Sequence, residues 1–117
     1  MIHSGLILDI LNLLLDGDDV DGQAKMQIET LTESDYHYTS SGLFVSFSHD
    51  EDIIKYRLTE ESLVLNGVEI KSPDLAIGAD ATVFFKDGLI DHLEIWSHDG
   101  NYPEKELTDY SLKRTSI

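Results

Sequence analysis

Five histidines and a surplus of carboxylates are the groups in this chain with the means to do chemistry. His92, Glu94 and Trp96 recur two residues apart, so on a β-strand they share one face, where the carboxylate could orient the imidazole for proton transfer. No nucleophile accompanies them. The chain has no cysteine, no nucleophile elbow, no phosphate-cradling glycine loop and no dinucleotide fingerprint. A His-Glu pair at this spacing is common on half-exposed strands, so His92 and Glu94 are read as structural and no catalytic residue is assigned. The other histidines, His3, His37, His49 and His98, form no pair at the spacing with which a helix presents two metal ligands.

Asp16, Asp18, Asp19 and Asp21, interleaved with Gly17 and Gly22, set hard oxygen ligands along a turn as a calcium loop does. The register fails. Setting Gly22 at the loop's glycine position puts Gly17 first and Ile28 where a bidentate acid is required. The stretch reads as a solvated acidic linker, and neither a metal nor a cofactor is expected.

Charge narrows the choice of partner. Lys and Arg number 8 against 23 Asp and Glu, a formal net charge of -15 at pH 7. Such a surface repels phosphate backbones and anionic lipid, so neither nucleic acid nor a membrane is expected as partner. The same field attracts a basic protein and speeds its encounter. With 41% hydrophobic and 26% charged residues the composition is globular, and 117 residues suffice for one domain, 1–117, with its own core. The apolar run Leu6 to Leu15 lacks a basic segment before it and a small-residue cleavage site after it, and is too short to span a bilayer. A soluble cytoplasmic protein is the expectation, and the lack of cysteine agrees with it.

The elements that must hold these groups are organised around residues 79 to 97. There Asp87-Gly88 separates two β-prone runs, the signature of a hairpin with a type I′ turn. Pairing Lys86 with Leu89 sets Phe85 against Ile90, Phe84 against Asp91, Val83 against His92 and Thr82 against Leu93. Strict alternation then puts Phe84, Leu89, Leu93 and Ile95 on one face. Ala81, Val83, Phe85, Ile90, His92, Glu94 and Trp96 fall on the other. Both faces carry apolar residues, which places the hairpin at the centre of its sheet.

Upstream, Asp9, Asn12 and Asp16 recur at helical intervals in an apolar run, predicting a helix capped by Ser4 and ended by Asp16-Gly17. Residues 23–31 fit both a helix and a strand, and the helix formers among them favour a short second helix capped by Asp21. A strand, loop and strand follow over 32–48, then the polar loop His49 to Asp52. Residues 53–59 read as a short strand or irregular edge. Asn66-Gly67 signals a turn between two short strand pieces, residues 104–107 a helical turn, and 110–113 a last strand. Helices first and strands after give an α+β fold, with one N-terminal helix, or two, packed on one mostly antiparallel sheet.

The pattern Phe84, Asp87, Gly88, Asp91, Leu93, Glu94, Trp96, Asp99, Tyr102, Pro103 and Glu104, with Gly42 and Phe44 upstream, resembles that of a group of small bacterial proteins. These look like immunity proteins of polymorphic, contact-dependent toxin systems. The resemblance implies a small non-catalytic α+β domain that binds a basic cognate toxin domain, such as a nuclease, and occludes it. On that reading Asp16, Asp18, Asp19, Asp21, Asp50, Glu51 and Asp52 supply acidic contacts, with Trp96 or Tyr102 as aromatic anchor. Two alternatives stay open. One is a small-ligand-binding domain or small enzyme whose pocket, between helix and sheet, is lined by Phe85, His92, Glu94 and Trp96. The other is a housekeeping domain of unknown partner.

Overall fold

In the computed structural model, which describes residues 1–16 and 22–115, helices cover one face of a six-stranded antiparallel sheet. The chain begins with α1 (Gly5–Leu14) and α2 (Gly22–Met26), the latter running into a 3₁₀ turn at Gln27–Thr30. The strands are β1 (Leu31–Tyr38), β2 (Gly42–His49), β3 (Ser62–Lys71), β4 (Ala79–Lys86), β5 (Leu89–Ser97) and β6 (Ser111–Arg114). Their order across the sheet is β1-β2-β5-β4-β3-β6, so the β4-β5 hairpin is central, as its apolar content predicts. Asp87 and Gly88 have φ of 54° and 78°, the pair of positive values that a type I′ turn requires.

The helical layer follows from the first fifteen residues. Ser4 caps α1, its hydroxyl accepting from the Ile7 amide at 3.3 Å, and Leu6, Ile7, Ile10, Leu11 and Leu14 are buried on the sheet. At the other end the Arg114 guanidinium donates to the carbonyls of Leu13 and Asp16, at 2.7 and 2.6 Å. A cation at a helix C-terminus satisfies carbonyls that have no partner within the helix, and here it also ties β6 to α1. The expected roles of Gly17 in ending the first helix and of Asp21 in capping the second lie outside the described residues. Beneath α1 the inward residues of the central strands close the core: Val45, Ala81, Val83, Leu93 and Ile95 are fully buried. Ala79 and Ala81 are small, which lets the helix approach β4 closely.

One polar side chain lies deep in this layer. Gln27 is fully buried, donating from Nε2 to the carbonyls of Tyr56 (2.8 Å) and Gly88 (3.0 Å) and accepting at Oε1 from the Ile90 amide (2.8 Å). Gly88 also exchanges backbone bonds with Leu58 and Glu61, both at 3.0 Å. The tip of the central hairpin is thus fixed by Gln27 and by the stretch just before β3.

Four local expectations are corrected. Residues 53–59 contain no strand: Glu51–Tyr56 is a 3₁₀ turn that buries Ile53. Asn66-Gly67 does not reverse the chain, because both halves of β3 pair with β4, and the extra residue is absorbed as a bulge between Leu65 and Val68 with Gly67 at φ 105°. Residues 104–107 form no helix, although Leu107 is buried. The hairpin register holds only near the turn. Phe85 faces Ile90, but Phe84 then faces His92, Val83 faces Leu93 and Thr82 faces Glu94. Asp91 is the additional residue, and it reassigns the faces of β5.

Glu33 on β1 holds the N-terminal segment in place. Its carboxylate accepts from the amides of His3 and Ser4, both at 2.8 Å, and from the Tyr36 hydroxyl at 2.8 Å. Burial works to raise its pKa, but these bonds outweigh that and hold it below the ordinary 4.5. A depressed carboxyl contributes stability that is complete above the unfolded value and lost as pH falls through the folded one. Urea titrations between about pH 6 and pH 2 should therefore show a steeper acid loss for the wild type than for Glu33→Gln. Equal slopes would remove Glu33 from the acid response.

Candidate binding face

The bulge at Asp91 turns Leu93 and Ile95 into the core and leaves His92, Glu94 and Trp96 on the opposite face of the sheet. No helix among the described elements covers that face. Its cross-strand rows follow from the ladders: Ser46, His92, Phe84 and Val64 in one, and His37, Phe44, Glu94 and Thr82 in the next. In a third, Gly42 faces Trp96 and Trp96 faces Asp80. Val64 and Trp96 are 54% and 43% exposed.

Glu94 organises the centre. Its Oε1 accepts from Trp96 Nε1 at 2.9 Å, and its Oε2 lies 3.1 Å from His92 Nε2. His92 Nδ1 lies 2.8 Å from Asp91 Oδ2, and the imidazole stacks on Phe84 with centroids 4.4 Å apart and planes 6° apart. The Phe44 and Trp96 rings meet edge to face at 5.1 Å, and His37 adjoins Phe44 at 6.2 Å. At the end of the third row, His98 Nε2 lies 3.0 Å from Asp80, a hydrogen bond that is the chief reason its pKa is raised.

What this arrangement can do is limited by its bonds. Both nitrogens of His92 are engaged by carboxylates, so neither is left to take a proton from Ser46, its neighbour on β2. What remains is a plane of aromatic rings and carboxylates held in fixed positions. β1, β2 and β5, which are adjacent, contain no lysine or arginine.

The site residues expected from sequence do not come together. Trp96 lies on the open face. Tyr102, the alternative anchor, is only 7% exposed; it packs near Tyr38, and burial pushes its pKa up while its hydroxyl finds no partner among the described residues. Asp50, Glu51 and Asp52 are exposed but follow the far end of β2, about 25 Å along the strand from the Gly42-Trp96 pair. Asp16 follows α1 on the helical layer, 3.6 Å from Lys25. Asp18, Asp19 and Asp21, and with them most of the loop weighed for calcium, lie outside the described residues. The pocket proposed from Phe85, His92, Glu94 and Trp96 does not form, because Phe85 is in the core and the other three are on the reverse face.

A surface hollow of about 430 Å³ lies elsewhere, between Lys71, Pro73, Leu75, Ile77 and Tyr110. Among the described residues no three His, Asp or Glu side chains are grouped to hold a metal ion, and no helix is long and apolar enough to cross a membrane. Comparison with models of protein families, with curated proteins and with solved structures finds no match.

Proposed function

We propose that the protein works by non-covalent capture of a basic protein on its open sheet face, as an immunity protein occludes a cationic toxin domain such as a nuclease. The observation that carries this reading is the uncovered plane of Phe44, Phe84 and Trp96 set among Asp80, Asp91 and Glu94, on strands nearly devoid of cations. Aromatic side chains in the middle of an interface supply most of its affinity, and carboxylates around them steer approach. The net charge of -15 adds long-range attraction for a basic partner. The acidic residues Asp16 and Asp50 to Asp52 then act through the field and need not touch the partner.

The test is co-expression and titration with basic toxin domains encoded near its gene. Protection and tight binding are expected, with association slowing as salt rises. Trp96→Ala should weaken the complex by at least about 30-fold, the effect of losing a central anchor. No protection and no binding at low salt would overturn the proposal, as would turnover of any substrate that disappears in His92→Ala.

A further inference from the structure

We infer that the group seated at the centre of this face is an arginine side chain of the partner, lying flat on the Trp96 indole and bonded to the carboxylates beside it. The inference rests on the docking reading above and names the chemistry of its central contact. Trp96 is flanked along its own strand by Glu94 and across the ladder by Asp80, so carboxylates stand on two sides of a ring that is 43% exposed. A π face with anions at its edges attracts a cation, and neither β2 nor β5 supplies one.

Glu94 is prepared for that role. Its Oε1 accepts from Trp96 Nε1 and its Oε2 lies 3.1 Å from His92 Nε2, and each oxygen retains capacity for a further bond. The carboxylate therefore cannot swing away when a ligand arrives. Asp80 is held through His98 and is itself well exposed.

Geometry selects arginine over lysine. A guanidinium is planar, weakly hydrated and able to stack on an aromatic ring while its edge nitrogens bond carboxylates lying near that plane. An ammonium group carries a tighter hydration shell and would give up its water to reach the same ring. Phe44 meets the indole edge to face at 5.1 Å and so holds the ring in one orientation for a flat group to stack on.

The experiment uses the whole protein and two short peptides of equal charge, alternating glycine with arginine in one and with lysine in the other. Trp96 is the only tryptophan, so its fluorescence reports occupancy of this place alone. The arginine peptide should shift Trp96 emission and bind at least about threefold more tightly than the lysine peptide. Glu94→Gln should abolish the difference, whereas Asp52→Asn, which removes the same charge at the far end of β2, should preserve it. Equal affinity for the two peptides, or a preference that survives Glu94→Gln, would overturn the arginine contact while leaving capture of basic proteins intact. A basic toxin domain that binds without changing Trp96 emission would overturn both.

Discussion

Gln27→Leu is expected to destabilise the protein by about 2–5 kcal/mol although it exchanges one side chain for another of similar size. The leucine would fit the space but not the bonds. The Ile90 amide and the Tyr56 carbonyl would lose the partner that Gln27 provides, while Gly88 would keep the Leu58 amide on its carbonyl. A buried backbone group left without a partner costs about 1–3 kcal/mol, which falls fully on the Ile90 amide and partly on the half-buried Tyr56 carbonyl. Urea denaturation would read the loss as a lowered midpoint with an unchanged slope. A loss under about 1 kcal/mol would mean that water reaches these groups and that the amide does not hold the hairpin.

Gly42→Ala is the second large effect, expected at about 3 kcal/mol. A Cβ at Gly42 would sit far inside van der Waals contact distance of the Ile95 carbonyl oxygen, with Ile95 C at 3.2 Å and Trp96 Cα at 3.4 Å. These are backbone atoms in the ladder between two central strands, so they can yield only by parting β2 from β5. The same change at Gly22, the first residue of α2, meets nothing within 4 Å among the described residues, and alanine there should be neutral or stabilising by up to about 1 kcal/mol. Thermal unfolding of the two variants side by side would separate close backbone approach from any general effect of replacing glycine. Similar midpoints would refute it. Because Gly42 faces Trp96, the variant should also lose binding beyond what its stability explains.

Much of the architecture is legible in the chain because its signals are local. Ser4 before an apolar run, Asp87-Gly88 between two strands and the order of helices before strands each specify their element without outside help. The errors arise where a distant contact decides. Residues 53–59 look extended, yet the Asp50 amide bonds Thr30 and Ile53 drops into the core, so a 3₁₀ turn wins. Asn66-Gly67 has turn chemistry, but Val68 and Ile70 must stay over the core beside β4, and the glycine's positive φ is spent on a bulge.

The open sheet face is half legible. His92, Glu94 and Trp96 share a face in any strand reading. Phe84 could join them only once Asp91 is recognised as unpaired, and the available signal was the spacing of Ile90 and Leu93, two core residues three apart in a strand that alternates by two. Phe44 was visible as a strand residue, but its place beside Trp96 depends on β2 pairing with β5, a long-range choice that spacing along the chain does not encode. The acidic residues are conspicuous in sequence, whereas the distance between Asp16 on the helical layer and Asp50 to Asp52 beyond β2 becomes visible only in three dimensions.

Asp91 has a further consequence for how this surface can change over time. Substitutions at Ser46, Thr82 or Trp96 alter one outward position each and leave the buried layer as it is. Because Asp91 is the unpaired residue, removing it would keep Phe84 opposite His92 and Val83 opposite Leu93, whereas drawing it into strict alternation would turn His92, Glu94 and Trp96 inward in place of Leu93 and Ile95. The outer side can therefore vary by substitution, or lose this one extra residue, while the buried layer of β5 stays the same.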